Sequence, residues 1–177
     1  MPLPKRRIST LLHSHRHKNM IKKLCLGPGP GWKDQKKRDF ENWKDSIGID
    51  IIPEFEPDIV ADIRGADLPF DEGSFDEIEI FHCMEHIQMN EDFLHLMKEM
   101  FRVLKKDGYL EITVPHKDSN MAYDCYEHCR FFTENSFMNF YENRYAKEMG
   151  IPLFKHVLNE KRPKDGEFEV HVILQKP

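Results

Sequence analysis

Residues 23–31 read Lys23-Leu24-Cys25-Leu26-Gly27-Pro28-Gly29-Pro30-Gly31, a short apolar run that gives way to three glycines at alternate positions. The pattern predicts a β-strand emptying into a ligand loop, because glycine lets a backbone turn tightly and lets a ligand approach where a Cβ would block it. A second apolar run, Ile47-Gly48-Ile49-Asp50-Ile51, places Asp50 nineteen residues past Gly31. That is near the spacing at which an acidic side chain meets ribose hydroxyls in doubly wound folds. Together the two features predict a nucleotide site at the edge of a parallel sheet.

The rest of the chain extends this frame in both directions. Met20 to Leu26 forms the first strand, and Ile47 to Ile52 the second, closed by Pro53. Between them, Trp32 to Trp43 is charged, with apolar residues only at Trp32, Phe40 and Trp43, and makes a poor amphipathic helix. Asp58-Ile59-Val60-Ala61-Asp62-Ile63 is a third apolar run ending near an acid, and turn chemistry at Asp71-Glu72-Gly73-Ser74 precedes a fourth strand from Phe75 to Phe81. Phe93, Leu96, Met97, Met100, Phe101 and Leu104 recur at i, i+3, i+4 spacing and predict an amphipathic helix from Met89 to Leu104. Lys105-Lys106-Asp107-Gly108 ends it, with basic residues suited to the negative end of the helix dipole.

Tyr109 to Val114 is the fifth strand, stopped by Pro115, and residues 116–132 are irregular and dense in Tyr, Phe, His, Asp and Arg. Thr133 caps a further helix carrying Phe137, Phe140, Tyr141 and Met149, with Gly150 as its stop. Leu153 to Leu158 and Phe168 to Leu174 are strands around Arg162-Pro163-Lys164-Asp165-Gly166, a connection too short for a crossover helix, so this pair is antiparallel. The expected fold class is α/β, a doubly wound, mostly parallel seven-stranded sheet with a C-terminal antiparallel hairpin.

At 177 residues the chain is about one domain. Residues 1–20 are expected as a basic arm or short helix, with Ile8, Leu11 and Leu12 at helical spacing and His13, His15 and His17 alternating, and residues 21–177 as the domain proper. Up to Arg38 there are eleven Lys or Arg against one acid, and the remainder carries fifteen basic and thirty acidic residues. The first 38 residues are therefore either a solvated basic tail or a surface for an anionic partner. The four cysteines form no CxxC pair and no signal peptide is recognisable, which predicts a reduced, cytoplasmic protein without structural disulfides. No apolar run approaches the eighteen residues of a membrane span, so no membrane partner is expected; the oligomeric state is open.

At this point the chain resembles the class I S-adenosylmethionine-dependent methyltransferases. Gly27-Pro28-Gly29-Pro30-Gly31 is similar to the GxGxG loop after that family's first strand. Asp62-Ile63 through Leu68-Pro69-Phe70 and Gly73-Ser74-Phe75-Asp76-Glu77-Ile78 resembles its third strand, LPF loop and fourth strand. His82-Cys83-Met84-Glu85-His86-Ile87 resembles the HVLEHI of one short branch, and Phe101 to Leu110 its helix and glycine turn before the fifth strand. His128-Cys129-Arg130-Phe131-Phe132-Thr133 to Ser136-Phe137 is similar to that branch's H-x-RFFT-x-x-SF. Cys25 stands where the family often carries an acid.

The resemblance implies a Rossmann-like methyltransferase domain and S-adenosyl-L-methionine as cofactor, with S-adenosyl-L-homocysteine as product. It implies that Gly27, Gly29 and Gly31, with Pro28 between them, wrap the methionine end. Asp50 accepts hydrogen bonds from the ribose hydroxyls, beside Ile51; Asp62 and the backbone of Ile63 read the adenine edge; and His82 lies near the methionine part.

The expected activity is transfer of a methyl group to an oxygen or nitrogen of a small-molecule acceptor. For a hydroxyl acceptor the candidate general bases are His82, His116 and His128, whose residue type titrates near neutrality. Tyr123, Tyr126, Arg130 and Phe131 lie in the segment best placed to form the acceptor pocket, against the plainer reading that Phe131 and Phe132 pack as lid or core. Other readings stay open. The domain could bind S-adenosylmethionine without catalysis. His82-Cys83-Met84-Glu85-His86 also satisfies the zinc-peptidase pattern H-x-x-E-H, although no metal is expected. A dinucleotide oxidoreductase requires glycine where Trp32 stands.

Overall fold

The computed structural model describes residues 22–32 and 46–177. The N-terminal arm, and the helix expected between Trp32 and Trp43 beyond its first residue, lie outside the described residues. Seven strands form one sheet in the order β3-β2-β1-β4-β5-β7-β6. They are β1 (Lys23–Leu26), β2 (Ile47–Asp50), β3 (Ile59–Val60), β4 (Phe75–Phe81), β5 (Leu104–Pro115), β6 (Lys155–Lys164) and β7 (Glu167–Gln175). The first five strands pair in parallel, and β7 runs antiparallel to both β5 and β6. The chain adds strands to one side of β1 and then jumps to the other, so β1 and β4 flank the point where strand order reverses. In open α/β sheets, ligands bind at the carboxyl ends of the strands beside that point.

Along the central strands apolar residues alternate with others, Ile78 and Ile80 about Glu79 and Leu110 and Ile112 about Glu111, so one face of the sheet carries the main core. Leu24, Leu26, Ile49, Ile78, Ile80, Leu110, Ile112, Val114, Val170 and Val172 are buried in one core. Against it packs the helix α1 (Asn90–Val103), burying Leu96, Met97, Met100 and Val103 at the expected spacing. Its buried Glu99 is not a defect. Both oxygens accept from the Arg102 guanidinium, at 2.8 and 2.7 Å, and one also from the Leu68 amide at 2.8 Å, while Arg102 donates onward to the Phe70 and Leu68 carbonyls. Hydrogen bonds from a neighbouring guanidinium hold the Glu99 carboxyl below its ordinary pKa. This knot pins α1 to the Leu68-Pro69-Phe70 loop.

Several boundaries differ from expectation for identifiable reasons. The third strand is only Ile59–Val60. β5 follows α1 directly from Leu104, with a register break opposite Phe75 and Glu77 where Lys105 to Gly108 turns. The helix expected after Thr133 is instead a 3-10 helix, Glu134–Phe140, followed by turns. Its capping function survives, since the Ser136 hydroxyl accepts from the Thr133 amide at 2.9 Å. Phe137 and Phe140, three residues apart, bury on one face of a three-per-turn helix. Met149, counted on the same face in the sequence, is exposed. In the terminal hairpin Arg162, Pro163 and Lys164 belong to β6, paired with Glu169, Phe168 and Glu167. Only Asp165 and Gly166 turn, with φ of 51° and 89°, the left-handed pair that suits a two-residue hairpin loop. Pro163 is tolerated because β6 is an edge strand.

Candidate functional site

A cleft of about 1000 Å³ opens at the carboxyl ends of β1 to β4. Its floor is the glycine loop. Gly27, Gly29 and Gly31 have φ of 63°, 69° and 81°, a region that L side chains rarely adopt. A Cβ built at Gly27 would lie 2.7 Å from the Cys83 sulfur, whereas at Gly29 and Gly31 it would meet none of the described residues within 4 Å. Gly27 is thus required by close packing against the turn after β4, and Gly29 opens on the cleft.

Asp50, at the end of β2, holds this loop. It is nearly buried, and one oxygen accepts from the Gly29 amide at 3.0 Å and the other from the Ile52 amide at 3.0 Å. Each oxygen keeps a further lone pair. Behind the loop the Trp32 indole is buried, packs over Gly48 where a Cβ would clash at 2.5 Å, and donates to Asp58 at 2.9 Å. The position that a dinucleotide fingerprint reserves for glycine is therefore filled by a large structural side chain.

At the end of β3, Asp62 forms a forked pair with Arg64, whose Nε and Nη2 donate at 2.8–3.1 Å while the Arg64 amide adds 2.9 Å. Hydrogen bonding by Arg64 lowers the Asp62 carboxyl below its ordinary pKa. Nothing local in the sequence marks Arg64; only its position two residues after Asp62 hints at the pairing.

His82 closes β4 with φ of 45°. Its Nε2 lies 2.7 Å from the fully buried Glu169 on β7, and its Nδ1 3.4 Å from Glu85. Burial works to lower the His82 pKa, but the hydrogen bonds to Glu169 and Glu85 override it and hold the ring up at about 9. Glu169 also receives Arg162 Nε at 3.0 Å and Lys164 Nζ at 2.9 Å. Burial would raise this carboxyl, yet hydrogen bonds from His82, Lys164 and Arg162 keep it at about 2. His82 is therefore an imidazolium at neutral pH.

Seven of the nine residues expected around a cofactor line the cleft together: Gly27, Gly29, Asp50, Ile51, Asp62, Ile63 and His82. Pro28 and Gly31 shape the loop without lining it. Among the acceptor candidates, Tyr126 is 94% exposed at the rim, beside Glu127 and Cys129. Tyr123 stacks on Phe131 at 4.9 Å and donates to the Lys117 carbonyl at 2.9 Å. Arg130 is a strap: it donates to the Ile87 and Gln88 carbonyls and to Asn90, and lies over the Phe93 ring.

His116 is buried between Glu134, 3.2 Å from its Nε2, and the Asp118 amide, which donates to its Nδ1 at 3.1 Å. The His128 Nδ1 bonds the Ala122 carbonyl at 3.2 Å. Neither ring is part of the cleft wall. The zinc-peptidase pattern lacks its scaffold, since Met84–His86 is a single 3-10 turn with His82 outside it, so the two histidines do not share a helical face.

A sequence model described as a methyltransferase domain matches residues 24–112, half of the chain and all of the cleft's strand ends. The chain belongs to this family. With the sheet described above, it has the class I, Rossmann-like methyltransferase fold. A Methanocaldococcus jannaschii protein described as uncharacterized is 28% identical over 153 residues, 85% of this chain and 62% of the relative. The methyltransferase thus spans less than two thirds of that relative's length. Among solved structures, a chain from the complex between the Haloferax volcanii Trm112 methyltransferase activator and a methyltransferase aligns over 96% of this chain and 88% of its own. Its TM-score is 0.66 and its identity 15%. The Burkholderia thailandensis 1,6-didemethyltoxoflavin-N1-methyltransferase, solved with its substrate and S-adenosylhomocysteine, aligns over 95% and 76%, with a TM-score of 0.64 and 18% identity. These likenesses carry the fold.

The cleft fits the family's cofactor, S-adenosylmethionine. The room beside Gly29 and the spare lone pairs of Asp50 match a ligand with an extended chain and a diol. Among the described residues, no helix is long and apolar enough to cross a membrane.

Proposed function

We propose that this methyltransferase transfers a methyl group to a nitrogen or oxygen of a small-molecule acceptor, and that an amine is the better substrate. The observation that carries this reading is one continuous cleft, from the glycine loop past Asp50 and Asp62 to Tyr126, Glu127 and Cys129. Ligand pockets commonly span about 300–1,000 Å³, so a cleft at the top of that range accommodates a nucleoside-sized cofactor and a small acceptor together.

When bound, S-adenosylmethionine supplies an electrophilic methyl on sulfonium. The chain's part is to bind, align and exclude water. Gly27, Gly29 and Gly31, stiffened by Pro28, give the methionine end room. Asp50 uses its spare lone pairs on the ribose hydroxyls while its bonds to the Gly29 and Ile52 amides keep the carboxylate aimed. The exposed Ile51 side chain offers an apolar face to the base. Asp62 and the Ile63 backbone read the adenine edge once Arg64 swings aside, an exchange that costs little because an exposed ion pair contributes about 0–1 kcal/mol. Tyr126 borders the acceptor side.

His82 is already protonated at neutral pH, and His116 and His128 stand off the cleft wall, so none of the three is placed to accept a proton from a hydroxyl. This favours an acceptor that arrives as a neutral amine. The four free cysteines suit a reducing, cytoplasmic setting.

The test is to measure S-adenosylhomocysteine formation across parallel panels of small amines and hydroxyl compounds. Turnover with amines, rising with pH as the amine deprotonates, is expected. Cofactor binding without turnover on any acceptor would favour a non-catalytic binding module instead.

A further inference from the structure

We propose that His86, Cys125 and His128 form a site for one zinc-like divalent cation, which clasps the irregular 116–132 segment to the turn after β4. The proposal stands independently of the methyl acceptor. One ligand atom from each of the three side chains lies within 4.8 Å of the others, although Cys125 and His128 are about forty residues from His86 in the chain. Around a tetrahedral zinc, donors at about 2.0–2.3 Å from the ion stand roughly 3.3–3.8 Å apart. Three partly buried side chains close that difference by about an ångström of movement. The His86 and His128 rings already meet edge to face at 4.7 Å.

Two further observations point to a cation there. The His128 Nδ1 is bonded to the Ala122 carbonyl at 3.2 Å, which makes it the N–H donor and leaves Nε2 with its lone pair. That is the outer hydrogen bond that metal-bound histidines ordinarily make. Second, Glu85 is 1% exposed, and inside that burial its Oε1 meets only the His82 ring at 3.4 Å while its Oε2 has no hydrogen-bond partner among the described residues. Its Oε1 also lies 4.0 Å from His128 Nε2. A buried carboxylate with one long contact to a ring is incompletely compensated, and a dication nearby adds to what His82 supplies.

The backbone is prepared for such a clasp. The Cys129 and Arg130 amides donate to the Glu85 carbonyl at 2.9 and 3.2 Å, so the two segments are tied just beside the three ligands. One thiolate with two imidazoles selects zinc or a similar borderline-soft ion over magnesium or calcium. Cys125 gives up its proton on binding, which releases one proton per ion. The clasp shares His86 with the H-x-x-E-H pattern but replaces His82, which Glu169 occupies, with Cys125 and His128. Because His86, Tyr126 and Cys129 all border the cleft, the ion fixes the wall on the acceptor side.

The experiment uses the full chain, stripped with a chelator and titrated with Zn²⁺ and with Co²⁺. His13, His15 and His17 are replaced by alanine so that the N-terminal histidines contribute no binding. The expected result is one equivalent of zinc, and with cobalt a thiolate-to-metal charge-transfer absorption. Cys125→Ser abolishes that absorption and weakens zinc by more than the ~10–100-fold typical of losing an outer partner. His128→Gln weakens zinc similarly, and Cys129→Ser leaves both readouts unchanged. Failure of the parent protein to bind zinc overturns the proposal. So does unchanged affinity in folded Cys125→Ser and His128→Gln, or equal loss in Cys129→Ser.

Discussion

The His82 ring is held 2.7 Å from a Glu169 carboxylate that has no exposed surface, joining the end of β4 to β7 across 87 residues of sequence. This pair sets a pH signature. The folded His82 value of about 9 stands above its ordinary 6.5, so its stabilisation is complete below pH 6.5 and is lost as pH rises towards 9. The folded Glu169 value of about 2 stands below its ordinary 4.5, so that contribution is present above pH 4.5 and is lost as pH falls towards 2. The melting temperature should therefore fall from pH 6.5 to 9. Glu169→Gln should flatten that fall, return the His82 NMR titration towards 6.5, and cost about 2–3 kcal/mol. That cost is below the ~3–5 of a fully buried pair because the cationic partners keep some water. A His82 titration near 6.5 in the wild type would contradict the pairing.

Gly27 and Gly29 look equivalent in sequence but are not. Alanine at Gly29 meets only the backbone cost of a left-handed residue, about 1–2 kcal/mol, and its methyl enters the cleft. Alanine at Gly27 adds a clash with the Cys83 sulfur and should cost about 2–4 kcal/mol. Cys83→Ala in the Gly27→Ala background should recover part of that loss, as a double-mutant cycle in thermal denaturation would show. Additive effects would mean that the two residues do not touch.

The β1 run, the glycine loop and Asp50 are legible in the sequence because each is a local pattern whose physics repeats wherever the fold does. α1 is legible for the same reason: its apolar positions fall on one face. What is not legible depends on contacts distant in sequence. No periodicity joins His82 to Glu169, or His86 to Cys125 and His128, and Arg64 looks like any surface base until its fork closes on Asp62. The segment after Thr133 misleads because Phe137 and Phe140 fit three or four residues per turn equally well, and Met149 extends a helical pattern that the chain does not follow.

Thiol chemistry separates the four cysteines. Burial, then the charge of Glu79, pushes the Cys25 thiol well above its ordinary pKa, and burial with the charges of Glu85 and Asp50 takes Cys83 up to about 12. Neither carries appreciable thiolate at pH 8. A chromogenic disulfide should label the exposed Cys129 first in the native protein and reach Cys25 and Cys83 only after denaturant is added. Rapid native labelling of Cys83 would show that the turn after β4 is looser than described.

On the proposed function, the cleft at the ends of β1 to β4 holds S-adenosylmethionine with Asp50 on its ribose. Calorimetric titration with S-adenosylmethionine and S-adenosylhomocysteine tests it directly, comparing wild type with Asp50→Ala and checking both for folding by thermal melt. Removing a charged acceptor costs about 1.5–3 kcal/mol, so the account predicts saturable binding at one site and a roughly 10–100-fold loss of affinity in the variant. No binding by the wild type, or equal affinity in a folded Asp50→Ala, would contradict it.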